Sequence, residues 1–271
     1  MDKKNLKILT VMSVILALSL VLVSYFGAFA PATYERDSTS MAVQGMGQDL
    51  VDLFLVVPVF LISLVLFQRG SRLAAFVYGG SLFYILYSFF IYAFGVNFNS
   101  LFLLYCLVLG LSLYSFILIL VELSRMDVEN WFKTGLPVRF IGIYLIIVSA
   151  MFYVLWLKDV VPSILDNTIP KSVSDLNLLV NPVHVIDMAI ALPGLVIVAV
   201  LLMKKRRMGY ILAPVSLVFV VIMAIALVGM VVMLKVKGIS EDISIAAIFM
   251  VLALISAILL WVFIKNFRTP E

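Results

Sequence analysis

The chain has 271 residues, 65% of them hydrophobic and 13% charged, with a mean hydropathy of +1.22 and a formal charge of +4. Soluble domains run about 45–50% apolar and about 25% charged, so a water-soluble fold is excluded and the bilayer is the solvent. The basic residues sit in short clusters between apolar runs, a pattern of cytoplasmic loops rather than of a nucleic-acid surface, and the single cysteine, Cys106, excludes an intrachain disulfide or a CxxC redox pair.

A transmembrane helix needs about 20 apolar residues. Eight runs meet that length: 8–30, 50–68, 72–95, 100–122, 139–157, 183–203, 208–234 and 243–264. The first follows Asp2, Lys3, Lys4 and Lys7 and is too long for the apolar part of a signal peptide, about 7–15 residues, so it is expected to be a retained span. Backbone polar groups must be satisfied inside the bilayer, so the runs are expected to be helices. Two connections are long, 31–47 and 158–182, and the second has enough apolar residues for a short surface helix. With the N-terminus inside, 14 Lys and Arg fall on the inner side and 5 on the outer. The expected protein is therefore an all-α, multi-pass protein of the cell membrane with both termini cytoplasmic.

The chain also repeats itself. His184, Asp187, Pro193 and the basic turn 204–207 follow Asp49, Asp52, Pro58 and the turn 69–72 at a constant offset of 135 positions. Each copy reads polar residue, Asp, Pro, apolar run, basic turn, second apolar run. The expected domains are a four-helix repeat over 1–122, a cytoplasmic linker over 123–138 and a second repeat over 139–271. Four spans per repeat give both copies the same orientation, related by an axis along the membrane normal.

The stretches GQDLVDLFLVVPVFL, YAFGVNFNSLFLLYCLVLGLSLYSF and HVIDMAIALPGL resemble an uncharacterised family of eight-span prokaryotic integral membrane proteins. The resemblance covers most of the chain and is most specific at 99–105 and 187–193. It implies a fold and a membrane, and no activity.

Four residues are candidates for chemistry: Asp49, Asp52, His184 and Asp187. Residues three apart share a helix face, so each pair points one way, and packing about the repeat axis would bring the pairs into one outward-facing acidic cup. Oxygen ligands with an imidazole suit a divalent cation, and a proton-binding carboxylate fits equally. Pro58 and Pro193 each remove a helical donor and are expected to free the carbonyls of Phe54 and Ala189 just below the acids. Against this, Asp49 also suits the first turn of the second span, and His184 the membrane interface. Asp52 and Asp187 lie a turn deeper, where an ionised carboxylate is costly.

Other residues have plainer readings. Glu122 suits a snorkelling end residue or a proton exit partner. Tyr84 and Tyr87 share a face that suits aromatic packing or a polar path. Gly79, Gly80, Gly110 and Gly142 suit close helix contact, and Cys106 suits burial. Lys204, Lys205, Arg206 and Arg207 form a topology anchor that also suits anionic lipid headgroups. One histidine excludes bis-histidine haem ligation, and no GxxxxGK[ST], GxSxG or HExxH is present.

The leading expectation is a small secondary transporter or ion- or proton-conducting protein, taking a small ion or small-molecule substrate. Its site lies between the repeats, and no cofactor is needed beyond an optional divalent cation. Two alternatives differ in class. One is a membrane enzyme acting on lipid at the outer headgroups. The other is a non-catalytic partner or sensor subunit, in a homo-oligomer or with another membrane subunit.

Overall fold

The computed structural model describes residues 3–240 and 242–268. Asp2, part of the charged start, lies outside the described residues. The chain is helical, and eight of its helices are long and apolar enough to cross a membrane. They are α1 (Lys3–Phe29), α2 (Thr39–Gln68), α3 (Arg72–Gly95), α4 (Phe102–Ser124), α5 (Val138–Leu165), α6 (Pro182–Met203), α7 (Arg207–Val236) and α8 (Ser244–Lys265). Apolar side chains surround most of them, as lipid-facing helices require.

Two helices differ from expectation at their ends. The apolar run marking the second span begins at 50, yet α2 starts at Thr39, where the Ser38 hydroxyl accepts the Met41 N–H. Asp49 is therefore three turns inside the helix and caps nothing. The extra turns are possible because Gly47 lets α2 meet α7 backbone to backbone: a Cβ on Gly47 would stand 2.6 Å from the Gly229 carbonyl oxygen. Likewise α5 runs on to Leu165 and leaves Pro162 in its last turns, so the connection before α6 holds only the single turn Lys171–Ser174.

α3 and α7 form the centre of the bundle and pack on each other. At their crossing, a Cβ on Gly80 would stand 2.4 Å from the Val218 Cβ. α2 packs on both, α4 on α3, α6 and α8 on α7, while α1 lies outside against α2 and α4, and α5 outside against α6. Gly110, expected at such a contact, has open space around it. Cys106, expected to be buried, faces outward from α4, one residue past buried Tyr105, where a thiol meets hydrocarbon at little cost.

One end of the bundle gathers the start of α1, the end of α8 and the short turns. The Arg207 guanidinium donates to both Glu129 carboxylate oxygens, at 3.0 Å, and to Asp127 at 2.7 Å, which ties the 125–137 segment to α7. Glu122 is buried rather than snorkelling, and accepts from Asn5 at 2.8 Å and Arg125 at 3.0 Å. Phe132 is buried as well and stacks on Phe76, Tyr210 and Phe267. Lys204, Lys205 and Arg206 are exposed at this end, whereas Arg207 is taken up by its acids. At the other, distal end, 31–38 is tied down to the α3–α4 turn by Arg36 on the Phe98 carbonyl, Asn97 on Asp37 and Asn99 on the Thr33 carbonyl.

Helix geometry recurs along the chain. A π-helical segment spans Asp52–Val56 and another Asp187–Ala191, each directly before an α-helical stretch with proline at its second position. The reversals that follow have positive φ at Gly70 and Lys205. These features, like the starts of α3 at Arg72 and α7 at Arg207, lie 135 positions apart.

The α3–α7 crossing makes a direct prediction. Gly80→Leu drives a branched side chain into Val218 and is expected to destabilise the detergent-solubilised protein by about 1–3 kcal/mol, the usual penalty for overpacking. Gly110→Leu is expected to leave thermal unfolding unchanged. Equal melting temperatures for both variants would overturn the tight crossing.

Candidate functional site

The candidate acids belong to α2 and α6, and the groups that satisfy them come mostly from α3. Asp49 is fully buried. Its Oδ2 accepts from the Tyr34 hydroxyl at 2.5 Å and its Oδ1 from the Tyr92 hydroxyl at 3.0 Å. The carboxylate occupies a hollow that α1 leaves open, since a Cβ on Gly27 would overlap Asp49 Oδ2. Asp52, one turn on, is 1% exposed. Its Oδ1 accepts from the Tyr84 hydroxyl at 2.7 Å, while its Oδ2 is buried with no hydrogen-bond partner among the described residues. Such an orphaned buried oxygen costs about 1–3 kcal/mol in the dry state, and more if charged.

Asp187 of α6 is satisfied on both oxygens. The Tyr87 hydroxyl donates to Oδ1 at 2.9 Å, and the Trp156 indole N–H donates to Oδ2 at 2.7 Å. An indole N–H can only donate, so this pocket provides donors on both sides of the carboxylate. His184 is buried beside the Trp156 ring, with centroids 4.8 Å apart. Its Nε2 lies 3.5 Å from the Ser172 hydroxyl and 3.9 Å from Asp159, and Ser172 in turn donates to Asp159.

Local helix geometry sets these positions. In the π-helical turn, the Leu192 N–H bonds the Asp187 carbonyl. With that donor used and Pro193 lacking one, the next carbonyl, that of Met188, has no helical partner. The Tyr153 hydroxyl of α5 donates to it at 2.7 Å. The π register thus moves the orphan one residue back from the expected Ala189. Val57 makes the matching bond to Asp52 in α2. The wide turn displaces each aspartate from the regular helical row, toward α3.

The four candidates do not converge on one cup. Asp49 and Asp52 form one buried group, and Asp187 with His184 forms another. No cluster of three or more His, Cys, Asp or Glu side chains among the described residues is placed to hold a metal ion. The reason is packing: α3 lies against both α2 and α6 and occupies the interface that a direct meeting would need. Tyr84 and Tyr87, three residues apart on one face of α3, reach different helices and connect Asp52 of α2 to Asp187 of α6 through one helix.

Two adjoining cavities border this tyrosine row. One, of about 130 Å³, lies among α3, α5, α6, α7 and α8, with Asp187, Tyr87 and Trp156 at its polar edge and Phe219, Met223 and Phe249 among its apolar walls. The second, of about 220 Å³, continues toward the distal end past Tyr34, Gln48, Ser88 and Tyr92 to Leu178 and Pro182. Tyr87, Trp156, Val183, Met223 and Leu227 line both. Asp49 and Asp52 line neither; Tyr34 and Tyr92, the Asp49 donors, stand between that group and the space.

Set against known proteins, the chain matches no family model, no curated protein and no solved structure. What the site does is therefore argued from its own geometry.

Sequence reasoning missed Trp156, Tyr34 and Tyr153. A buried acid needs donors, so the tyrosine-rich third span, read from sequence as aromatic packing or a polar path, was the signal that could have found Tyr84, Tyr87 and Tyr92. Nothing in the local sequence pointed to a tryptophan 31 residues upstream of Asp187 or to a tyrosine in the 31–38 connection. The donor pattern predicts that Tyr84→Phe costs about 1–3 kcal/mol of stability, because Asp52 then has no donor at all. Tyr114→Phe, on an exposed ring of α4, is expected to change nothing. Thermal unfolding of both variants in detergent tests this, and an unchanged Tyr84→Phe protein would contradict it.

Proposed function

We propose that the protein is a small secondary transporter coupled to protons, with Asp52 and Asp187 as the proton-binding groups. The observation that carries this reading is the uncompensated charge capacity at membrane depth. Asp49, Asp52 and Asp187 are buried within membrane-length helices, their partners are neutral hydroxyls and an indole, and no ion pair seen among the described residues includes any of them. Ionisable groups in that position are expensive and serve proton or ion pathways. The empty coordination of Asp52 Oδ2 suits a group that takes up and releases a proton through a transient partner.

Two further elements belong to the proposal. The chain is a tandem of four-helix repeats, 1–122 and 139–271 joined by 123–138, and both copies share one orientation with the termini in the cytoplasm. Support comes from the 135-position recurrence of π turns, prolines and positive-φ reversals, and from the exposed cations Lys204, Lys205 and Arg206 at the end that gathers the termini. On this orientation the larger cavity faces outward. The second copy then moves against the first about α3, whose tyrosines hold an acid of each. Asp49, with both oxygens held by Tyr34 and Tyr92, steadies the α2 side, and His184 with Asp159 the entrance beside α6.

The decisive variants are Asp52→Asn and Asp187→Asn, separately and together. In liposomes carrying a pH-sensitive dye, each single variant is expected to lower proton uptake at least about tenfold, and the double variant to abolish it. Flux at the wild-type rate in the double variant would remove the basis of the reading. For orientation, Ser71→Cys and Ser240→Cys in a Cys106→Ser background are expected to label from inside and outside intact cells respectively; the reverse pattern would invert the assignment.

A further inference from the structure

The two adjoining cavities are chemically unlike a water channel. The inner cavity is walled by aromatic and aliphatic groups, among them Phe152, Phe219, Phe249 and Leu252, while the distal one adds the neutral polar Gln44, Gln48, Ser88 and Asn181 to Met41 and Met230. One carboxylate, Asp187, borders this space, flanked by the Trp156 and Tyr87 rings. Both its oxygens already accept a hydrogen bond, and both donors are neutral. Around Asp187 the inner cavity therefore offers negative charge and aromatic faces, with little free hydrogen-bonding capacity.

That combination selects among occupants. An inorganic cation needs about six oxygen ligands, and the inner cavity beside Asp187 lacks them. An anion meets an unbalanced carboxylate. A neutral hydrocarbon fills the space and leaves that charge uncompensated. A cation that needs no hydrogen bonds and carries its own apolar body matches these inner walls: its charge faces Asp187 and the aromatic rings, and its body contacts the Phe and Met side chains. The combined space, about 130 Å³ and 220 Å³, suits a small organic molecule.

We infer that the cavity bordered by Asp187, Trp156, Tyr87 and Phe219 binds lipophilic organic cations, quaternary ammonium compounds in particular. The inference rests on the transport reading and names its substrate class. Asp187 has one charge to neutralise, so a proton and an organic cation compete for it. Arrival of the cation releases the proton, which makes the exchange an antiport. Asp52, behind Tyr84 and bordering neither cavity, takes protons only.

Binding is read at equilibrium, apart from flux. In a Trp131→Phe/Trp261→Phe background, Trp156 is the remaining indole. Benzyltrimethylammonium added to the purified full chain is expected to shift its fluorescence saturably. Neopentylbenzene, the uncharged compound of the same shape, is expected to bind at least about tenfold more weakly. Asp187→Asn should weaken the cation by about tenfold or more and leave neopentylbenzene unchanged. Lowering the pH should weaken the cation alone. No saturable binding of the cation, equal binding of the two probes, or unaltered cation affinity in Asp187→Asn would each overturn the inference. Comparing the two probes on the wild-type cavity needs no substitution at Asp187, so a folding failure of that variant leaves the question decidable. If the cation fails to bind while proton uptake still depends on Asp52 and Asp187, the substrate class falls and the transport reading stands. If the cation binds and proton uptake ignores both acids, the transport reading falls instead.

Discussion

A carboxylate inside a bilayer has no water to turn to, so its hydrogen-bond donors must come from the protein. Here one helix brings most of them. Tyr84, Tyr87 and Tyr92 of α3 donate to Asp52, Asp187 and Asp49 in turn, and Tyr34 and Trp156 complete the set. Much else in the bundle follows from that need. α3 must sit at the centre to reach both α2 and α6, and glycines at its crossing with α7 let it do so. Tyr34 reaches Asp49 from a connection that Arg36, Asp37 and Thr33 fasten to the α3–α4 turn.

The π turns serve the same constraint from the other side. A proline six residues beyond an aspartate leaves a carbonyl without its donor. Widening the turn at Asp52 and at Asp187 accommodates the proline and turns the acid toward α3. In α6 the stranded Met188 carbonyl gains the Tyr153 hydroxyl, so α5 is held to α6 by a bond that regular helix geometry would not require. The proline is thus part of how the acid is aimed, and the same geometry occurs in α2 and α6.

The two acidic groups nevertheless differ. Asp52 keeps one oxygen without a partner and is screened from the cavities, whereas Asp187 is fully hydrogen-bonded and borders one of them. Similar motifs therefore occupy unlike surroundings, because α5 brings the Trp156 indole to the second oxygen of Asp187 while no donor among the described residues reaches Asp52 Oδ2. Similar local geometry with unlike neighbours thus yields two carboxylates in different settings, one enclosed and one bordering a cavity.

By itself the sequence determined the spans, because a bilayer demands about 20 apolar residues per crossing and these runs are unbroken. It also marked Asp52, Asp187 and their prolines, since charge and helix breaks at that depth are rare enough to stand out. The tertiary structure alone decided what those acids meet. Helix phase and crossing geometry put Tyr84 and Tyr87 between them, where the sequence had suggested a direct encounter. They carried α2 back to Thr39, so that Asp49 became a buried acid and no cap. They also joined Trp156 to Asp187 across 31 residues. Hydropathy is a property of each segment, read along the chain. The choice of donor for a buried carboxylate is a property of three helices at once, and it exists only after they pack.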